Sequence, residues 1–447
     1  MQKTKSIFRL TWPIYIELLF FMLMGIADSL MLSQYSDLGV AAVGNANRIV
    51  GLFMVLLNVV AIGVGVIVSQ YVGAGEGKEA NNAIRSGLLS SGLIALVLTL
   101  VIQLLAPSLF TLINVPSSIY SDSMAYLRIV SSGLIFVAIT QAISASLKSH
   151  GYTKRIMVVV GFTNFVNVTL NLFLIFGLWI FPELGVRGAA IATLISKGLT
   201  LTIALVLLKM TLSIRLYRVM HTNFKLYFFK IMRIGIPSAL EHFVYQTTQV
   251  IILSFLNSIG TIALTTQIYV FNLMMPVIVF SLAVAQGNQV MTGWYIGATH
   301  YDEAYKRTLS TLKFAIVLVI IISIVMYLFA RPLLSIFTDN QAIIDMGKRT
   351  MFVVIFLEIG RLSNLVVIQA LRAANDVIFP VIIAIISMLG ISVSAAYFFA
   401  IVLNLGVVGI FIGFALDELL RGLLVFLRWL KKDWQLKARA TKIIKTT

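Results

Sequence analysis

The chain has 447 residues, of which 60% are hydrophobic and only 11% are charged, and its formal net charge is +17. A soluble globular chain carries about 25% charged residues, so this composition excludes a soluble enzyme and a disordered or nucleic-acid-binding polypeptide. If each span takes about 35–40 residues with its loop, the length accommodates roughly twelve membrane spans. The chain has no cysteine, which excludes disulfides and thiolate metal sites.

Twelve apolar runs, each bounded by polar residues, glycine or proline, predict twelve transmembrane helices. The first run, from about Thr11 to Leu32, follows a short basic segment, and its length indicates a retained span rather than a cleaved signal peptide. We therefore predict an all-α integral membrane protein. The runs start near residues 11, 50, 87, 125, 156, 188, 235, 265, 312, 350, 377 and 405.

Lysine and arginine lie mainly on one side of the predicted membrane, in the loops and terminal segments on the side of the N-terminus. Because cytoplasmic loops are enriched in these residues, we predict that both termini lie in the cytoplasm. The charge of +17 then sets the orientation of the chain against anionic lipid of the bilayer. It requires no nucleic-acid partner.

The first six predicted spans resemble the last six. Since six is an even number, both copies enter the membrane from the same side, and the repeats are related by an axis along the membrane normal. We predict an N-terminal lobe at residues 1–210, a cytoplasmic linker at 211–233, a C-terminal lobe at 234–430 and a basic cytoplasmic tail at 431–447. Two such bundles suggest a cleft that opens alternately to each face. The matching segments are Trp12–Glu17 with Ile236–Glu241, Gly73-Ala74 with Gly297-Ala298, Leu147-Lys148 with Leu371-Arg372, and Leu184–Gly188 with Leu405–Gly409.

Ionisable side chains inside the predicted spans are candidates for function, because a charge at membrane depth costs several kcal/mol. Glu17 and Asp28 share one face of the first span, roughly 16 Å apart along its axis, and no basic residue lies between them. Asp28 could therefore take up a proton or hold a sodium ion; a structural hydrogen-bonding role is the alternative. The full set is Glu17, Asp28, Lys197, Glu241, Glu358, Arg361, Asp417, Glu418 and Arg421.

Three asparagines, Asn164, Asn167 and Asn171, share one face of the fifth span. Their carbonyl oxygens suit a hard cation or a protonated carboxyl. They suit hydrogen bonds between helices equally well, and their spacing does not distinguish the two roles.

The seventh span carries Glu241, Tyr245 and Thr248 on one face. A carboxylate beside an aromatic ring suits an organic cation, and a packed polar seam is the alternative. His242 and Gln249 flank this face, and, like Glu17 and Asp28, Glu241 has no lysine or arginine within two helical turns in sequence.

Two further acids have basic neighbours one helical turn away. Glu358 with Arg361 and Asp417 with Arg421 are predicted to form neutralised internal pairs. Lys197 has no adjacent acid, so we expect it either to pair across helices or to extend toward the membrane surface. Glycines inside apolar helices, such as Gly25 and Gly63, are interpreted as points of close packing.

The segments Asn164–Gly177 and Phe181–Thr193 together resemble the helix 5–6 signature of multidrug and toxic compound extrusion (MATE) transporters. Met24–Leu32 looks like their first helix, and Val72–Gly75 fits the end of their second. The resemblance implies twelve helices in two six-helix bundles with pseudo-twofold symmetry. It also implies antiport, in which amphipathic, often cationic, organic compounds are exported as Na⁺ or protons enter. We expect a monomeric, non-enzymatic transporter in a bacterial cytoplasmic membrane, with no cofactor besides the coupling ion.

The resemblance also implies site residues. Some members carry a second acid where this chain has Asn171, so the choice between Na⁺ and H⁺ stays open. The coupling site carries over to Asp28, Asn167, Asn171 and Thr193, with Na⁺ held by the first three if sodium is the ion. A weaker substrate cavity is expected at Glu17, Glu241, Tyr245, Thr248 and Glu358.

Three alternatives compete with an antiporter. A flippase for a lipid-linked precursor, which a related superfamily fold could host, predicts a cationic cavity, whereas the spans carry six acids and three bases. An intramembrane enzyme would need a nucleophile–base or metal cluster, and no such motif is recognisable. A passive channel predicts flux that follows the substrate gradient alone.

Overall fold

The computed structural model describes residues 6–212 and 223–443, and within these ranges the secondary structure is helical throughout. The linker predicted at 211–233 lies mostly outside the described residues, as does the end of the tail after residue 443. The described helices are α1 (Ile7–Tyr35), α2 (Asp37–Gly73), α3 (Gly77–Leu112), α4 (Ser117–Ser132), α5 (Leu134–Ser149), α6 (Thr153–Phe176), α7 (Gly185–Leu212), α8 (Phe224–Ile259), α9 (Thr261–Gly297), α10 (Tyr301–Leu328), α11 (Ala330–Leu334), α12 (Gln341–Ala373), α13 (Ile378–Ile386), α14 (Val393–Tyr397), α15 (Val407–Leu430) and α16 (Trp434–Ile443).

The predicted spans correspond to these helices. Nine helical stretches of the described chain are long and apolar enough to cross a membrane, and α4 with α5, bent by 42°, forms a tenth. One of the nine, Ile378–Val402, consists of α13, a π-helical segment, α14 and a second π-helical segment. α8 and α15 are also long enough to cross, and α15 differs from the other spans in carrying three charged residues close together, Asp417, Glu418 and Arg421. Each predicted start falls inside one of these spans or within two residues of it.

Several helices begin about ten residues before the predicted start. The second span was expected near residue 50 and begins at Asp37, and the seventh was expected near 235 and begins at Phe224. The 37 residues of α2 extend over about 55 Å, well beyond the roughly 30 Å hydrocarbon core. Hydropathy marks only the part of a helix that lies in lipid, so it cannot mark the polar ends.

Contacts between residues divide the chain into two compact units. Unit 1 contains the described parts of Met1–Tyr15, Gly73–Gly75 and Ile236–Thr447, and unit 2 those of Ile16–Val72 and Glu76–Gly235. The first residues of α1 therefore belong to unit 1, and the first residues of α8 belong to unit 2.

Equivalent contacts hold these two helix starts. In unit 1, Ile7 and Thr11 pack against Gly287 of α9; in unit 2, Ile231 packs against Gly63 of α2. Ile7 and Ile231 occupy equivalent repeat positions, as do Gly63 and Gly287. These identities are a repeat signal that our comparison of the halves missed. The interpretation of Gly63 as a close-packing point is confirmed.

The repeated Leu-Gly-x-x-Gly segment has the same two structural roles in each half. Gly185 and Gly406 adopt positive φ angles of 53° and 60°, which glycine adopts without steric cost. A Cβ on Gly188 or Gly409 would overlap the backbone of the preceding span. The first glycine thus turns the chain into a new span, and the second lets that span pack closely on its predecessor.

The described start of the predicted tail is packed within unit 1. Trp434 is fully buried, its ring stacks on Trp429 with centroids 4.2 Å apart, and its Nε1 donates a hydrogen bond to the Trp429 carbonyl. The Arg439 guanidinium lies over the Tyr301 ring. Aromatic contacts therefore hold α16 in place, in addition to the basic character predicted for the tail.

Candidate functional site

Asp28 of α1 meets the asparagine face of α6 within unit 2. The Asn171 Nδ2 donates a hydrogen bond of 2.6 Å to Asp28 Oδ1, and it lies 3.4 Å from Asn167 Oδ1. Both asparagines are almost completely buried. The Asn171 Oδ1 is buried without a hydrogen-bond partner in the described chain, so one acceptor of this cluster is available to a ligand.

Tyr126 of α4 connects the last predicted residue to this cluster. Its side chain is buried, and its hydroxyl hydrogen-bonds to Asn47 and Thr193 while interacting electrostatically with Asp28. The structure thus brings Asp28, Asn167, Asn171 and Thr193 together. Sequence reasoning missed Tyr126 and Asn47, because an isolated polar residue in a span carries no local signal.

Lys197 of α7 is the basic neighbour of Asp28. The two side chains interact electrostatically, and the Lys197 Nζ lies 5.5 Å from the centre of the Phe21 ring. Phe21 is two turns before Asp28 on the same helix. Lys197 therefore interacts across helices, which is one of its two predicted outcomes.

Asn164 does not join the cluster, although it shares a helix face with the other asparagines. Its Nδ2 donates a hydrogen bond of 2.9 Å to the Phe20 carbonyl. Of the two roles that spacing left open for these amides, Asn164 has the structural one.

Glu17 has no basic residue close by in sequence, but it has a buried partner from another span. The Lys148 Nζ lies 2.9 Å from Glu17 Oε1, and Ser144 donates a longer hydrogen bond of 3.5 Å to the same atom. Lys148 belongs to the last turn of α5. The partner was missed because it lies more than a hundred residues away.

Glu241 of α8 is paired in the same way, again with a basic residue far away in sequence. Arg372 Nη2 lies 2.6 Å from Glu241 Oε2, and both side chains are largely buried. The other residues of the predicted cavity on α8 differ in exposure. Tyr245 is 36% exposed, whereas Thr248 is buried, and its hydroxyl has no hydrogen-bond partner among the described residues.

The two pairs predicted from local spacing are confirmed. Arg361 donates to Glu358 Oε1, and Arg421 binds Asp417 through Nε and Nη2 at 3.0 and 2.8 Å. The same guanidinium lies 3.0 Å from Glu418 Oε1. This buried region of unit 1 therefore carries three acids and two arginines.

Neutral side chains complete this network. The Asn364 Nδ2 donates to Glu418 Oε2 at 2.8 Å, and the Ser387 hydroxyl donates to Asp417 Oδ1 at 2.5 Å. Ser387 begins a π-helical segment of the eleventh span. Glu358 Oε2 is left buried without a hydrogen-bond partner among the described residues.

The acids inside the membrane are of two kinds: those that bind a basic group directly, and Asp28, which accepts a hydrogen bond from an amide. No group of three or more histidine, aspartate or glutamate side chains suited to a metal ion occurs in residues 6–212 and 223–443. A monovalent cation or a proton at Asp28 would be served by one carboxylate and the neighbouring amide oxygens of Asn167 and Asn171. Most other buried acids already bind a basic group directly.

Comparison with known proteins identifies the family. The family model MatE matches residues 13–173 and 237–398. The chain belongs to the MATE family of transporters. The two matched ranges begin at equivalent positions of the repeats. Because members of this family are transporters, the predicted absence of enzymatic activity is confirmed at the family level. The chain is a multi-pass membrane transporter of small organic compounds.

Two relatives match this chain over nearly its full length. It is 40% identical over 441 residues to "Uncharacterized transporter YisQ" of Bacillus subtilis, covering 98% of this chain and 96% of that protein. It is 28% identical over 454 residues to "Probable multidrug resistance protein NorM" of Thermotoga maritima, covering 98% and 94%.

Solved MATE structures share the fold. A mutant of the MATE transporter VcmN from Vibrio cholerae superposes with a TM-score of 0.89 at 20% identity, covering 96% of this chain and 98% of that chain. A MATE structure in the bent conformation gives a TM-score of 0.85 at 20% identity, covering 99% and 96%. The predicted fold class, twelve helices in two six-helix bundles, is confirmed.

Proposed function

We propose that this transporter is a secondary antiporter that exports amphipathic organic cations in exchange for Na⁺ or H⁺. The observation that supports this most directly is the cluster of Asp28 with Asn167 and Asn171. It combines a half-buried carboxylate with a buried acceptor, Asn171 Oδ1, that lacks a hydrogen-bond partner among the described residues. A cation or proton from outside would neutralise Asp28 and use this acceptor.

Coupling follows from the position of Asp28 between helices. With its charge neutralised, Asp28 attracts the Asn171 amide and the Lys197 ammonium less strongly, so α1 can repack against α6. Exchange needs only that the coupling ion and the cargo prefer different conformations. In the proposed cycle, the ion binds in the outward-open state and expels the cargo. Its release in the inward-open state lets new cargo enter.

The balance of buried charge supports a cationic cargo. In unit 1, the carboxylates of Glu358, Asp417 and Glu418 outnumber the guanidinium groups of Arg361 and Arg421. The resulting negative potential favours a positively charged compound over an anionic one. The exposed ring of Tyr245 would add a face for a cation.

A lipid-linked precursor is a poorer fit. A flippase for such a cargo needs cationic groups free to bind phosphate, but each of the three bases predicted within spans lies beside an acid: Lys197 with Asp28, Arg361 with Glu358, and Arg421 with Asp417. We therefore propose the antiporter. We further propose that it acts as a monomer in a bacterial cytoplasmic membrane with both termini in the cytoplasm.

Reconstitution tests this function. Proteoliposomes loaded with a fluorescent organic cation would receive an inward Na⁺ gradient or an inward proton gradient, imposed separately. We expect one of these gradients to drive efflux against the gradient of the dye. Flux that follows the dye gradient alone would instead indicate a channel. Movement of labelled lipid without dye transport would indicate a flippase.

A further inference from the structure

Two buried ion pairs occupy equivalent positions in the two halves of the chain. Glu17 and Glu241 are equivalent under the repeat, as are Lys148 and Arg372. Each pair joins the first span of a half to the last turn of its fourth span. The distances are 2.9 Å for the first pair and 2.6 Å for the second.

Burial makes these pairs expensive to keep for stability alone. Removing two charges from water can cost as much as their attraction returns, so a buried pair is weak evidence for stabilisation. Its better-attested use is to fix one arrangement of helices among several. Both halves keep an acid and a base at these places, although the neighbouring Ser144 corresponds to an isoleucine, Ile368, in the second half.

The geometry of α1 indicates what the first pair would fix. Glu17 and Asp28 lie on the same face, roughly 16 Å apart along a continuous helix. α5 holds the helix through Lys148 at the first point, and α6 meets it through Asn171 at the second. A slide by one residue, about 1.5 Å, would break the 2.6 Å hydrogen bond between Asn171 and Asp28.

We propose that Glu17 and Lys148 are a positioning pair, which sets the depth and rotation of α1 so that Asp28 meets Asn167 and Asn171. This inference rests on the proposed coupling role of Asp28. The second half provides an internal control, because Ile252, a fully buried apolar residue, stands at the position equivalent to Asp28. The pair of Glu241 and Arg372 therefore positions α8 without a coupling acid.

The test measures dye efflux from proteoliposomes as a function of the driving-ion concentration. We expect Glu17→Gln to raise the ion concentration for half-maximal efflux roughly tenfold. In the charge-exchanged variant, Glu17→Lys with Lys148→Glu, the ion concentration for half-maximal efflux should return to within about twofold of the wild-type value, because the two residues act as one pair. Glu241→Gln should lower the maximal rate and leave the ion concentration for half-maximal efflux unchanged.

A second readout does not depend on transport. Because the chain has no cysteine, spin labels at Ile26→Cys on α1 and Phe165→Cys on α6, both exposed sites, report the distance between these helices. We expect Glu17→Gln to broaden this distance distribution and Glu241→Gln to leave it unchanged.

Several results would overturn the proposal: an unchanged ion dependence in Glu17→Gln, an equal shift in Glu241→Gln, or an unaltered spin-label distance. Lys148→Arg keeps the charge, so it should behave like the wild type even if Glu17→Gln folds poorly. A tenfold shift in the ion concentration for half-maximal efflux by Lys148→Arg would therefore also count against the pair. If neither gradient drives efflux by the wild type, the proposed function fails. The spin-label distances then still decide whether the pair positions α1.

Discussion

We expect the Arg421→Met variant to be destabilised by about 3–5 kcal/mol, the typical cost of removing one partner from a buried ion pair. Arg421 is the shared partner of two buried carboxylates. It contacts Asp417 with two nitrogens at 3.0 and 2.8 Å and Glu418 at 3.0 Å. Methionine fills much of the same space but supplies no charge and no hydrogen-bond donor.

The magnitude follows from what remains in the cluster. After the substitution, the Asp417 carboxylate keeps the Ser387 hydroxyl, and the Glu418 carboxylate keeps the Asn364 amide. One neutral donor for each charge does not replace a guanidinium, since hydrogen bonds to charged groups contribute about 1.5–3 kcal/mol each. The upper part of the range applies because two acids lose the same partner.

The assay is thermal unfolding of the purified transporter in detergent, with Arg331→Met as the matched control. Arg331 pairs with Asp345 at 2.5 Å, but both side chains are about half exposed, and such pairs contribute only about 0–1 kcal/mol. We expect the apparent melting temperature of Arg421→Met to fall by about 5 °C or more, with little change in the control. Equal melting temperatures for the two variants would show that Arg421 does not stabilise the buried carboxylates of Asp417 and Glu418.

Two further predictions concern packing. Gly188→Ala should destabilise the protein by about 1–3 kcal/mol because the added Cβ would overlap the backbone of α6. Gly25→Ala should not destabilise it, because no described neighbour lies within 4 Å of the added atom. Equal melting temperatures for the two variants would contradict this prediction. Thr11→Cys with Gly287→Cys should form a disulfide on mild oxidation, because Thr11 Oγ1 lies 2.8 Å from the position of a Cβ on Gly287. Gel mobility reports the cross-linked fraction. The control pairs Thr11→Cys with Gly390→Cys, where no described neighbour lies within 4 Å of an added Cβ. A cross-linked fraction no higher than that of the control would contradict the packing of α1 in unit 1.

The spans and the short-range charge pairs could be predicted from the sequence because both are local. Glu358 with Arg361 and Asp417 with Arg421 are three or four residues apart, so helix geometry alone brings them together. Apolar runs locate spans for the same reason. They do not reveal polar helix ends, so the start predicted for the seventh span lies well inside α8.

The partners of Glu17 and Glu241 could not be found by a local search, because each comes from another span. The repeat itself held the missing information. Lys148 and Arg372 are separated by the same interval as the two glutamates, so their joint retention could have suggested a pair. Spacing also fails to show what surrounds a helix face: among the described residues, no neighbouring helix has an atom within 4 Å of a Cβ added to Gly25. The interpretation of Gly25 as a close-packing point is wrong.

The cluster around Asp28 was only partly accessible to sequence reasoning. The family resemblance supplied Asp28, Asn167, Asn171 and Thr193, which the structure brings together. Tyr126 reaches the cluster from α4, and no charge or spacing marks it in the sequence. Helix packing, not local pattern, determines which uncharged polar residues meet the acid.

The most direct test of the account is ion-driven efflux by Asp28→Asn in proteoliposomes. The substitution keeps the size of the side chain and removes the charge, and Asp345→Asn, at a half-exposed site, serves as the control. We predict that Asp28→Asn loses dye efflux driven by either a Na⁺ or a proton gradient while it purifies as a folded protein, and that the control keeps it. Gradient-driven efflux at the wild-type rate by folded Asp28→Asn would show that Asp28 does not couple ion entry to export.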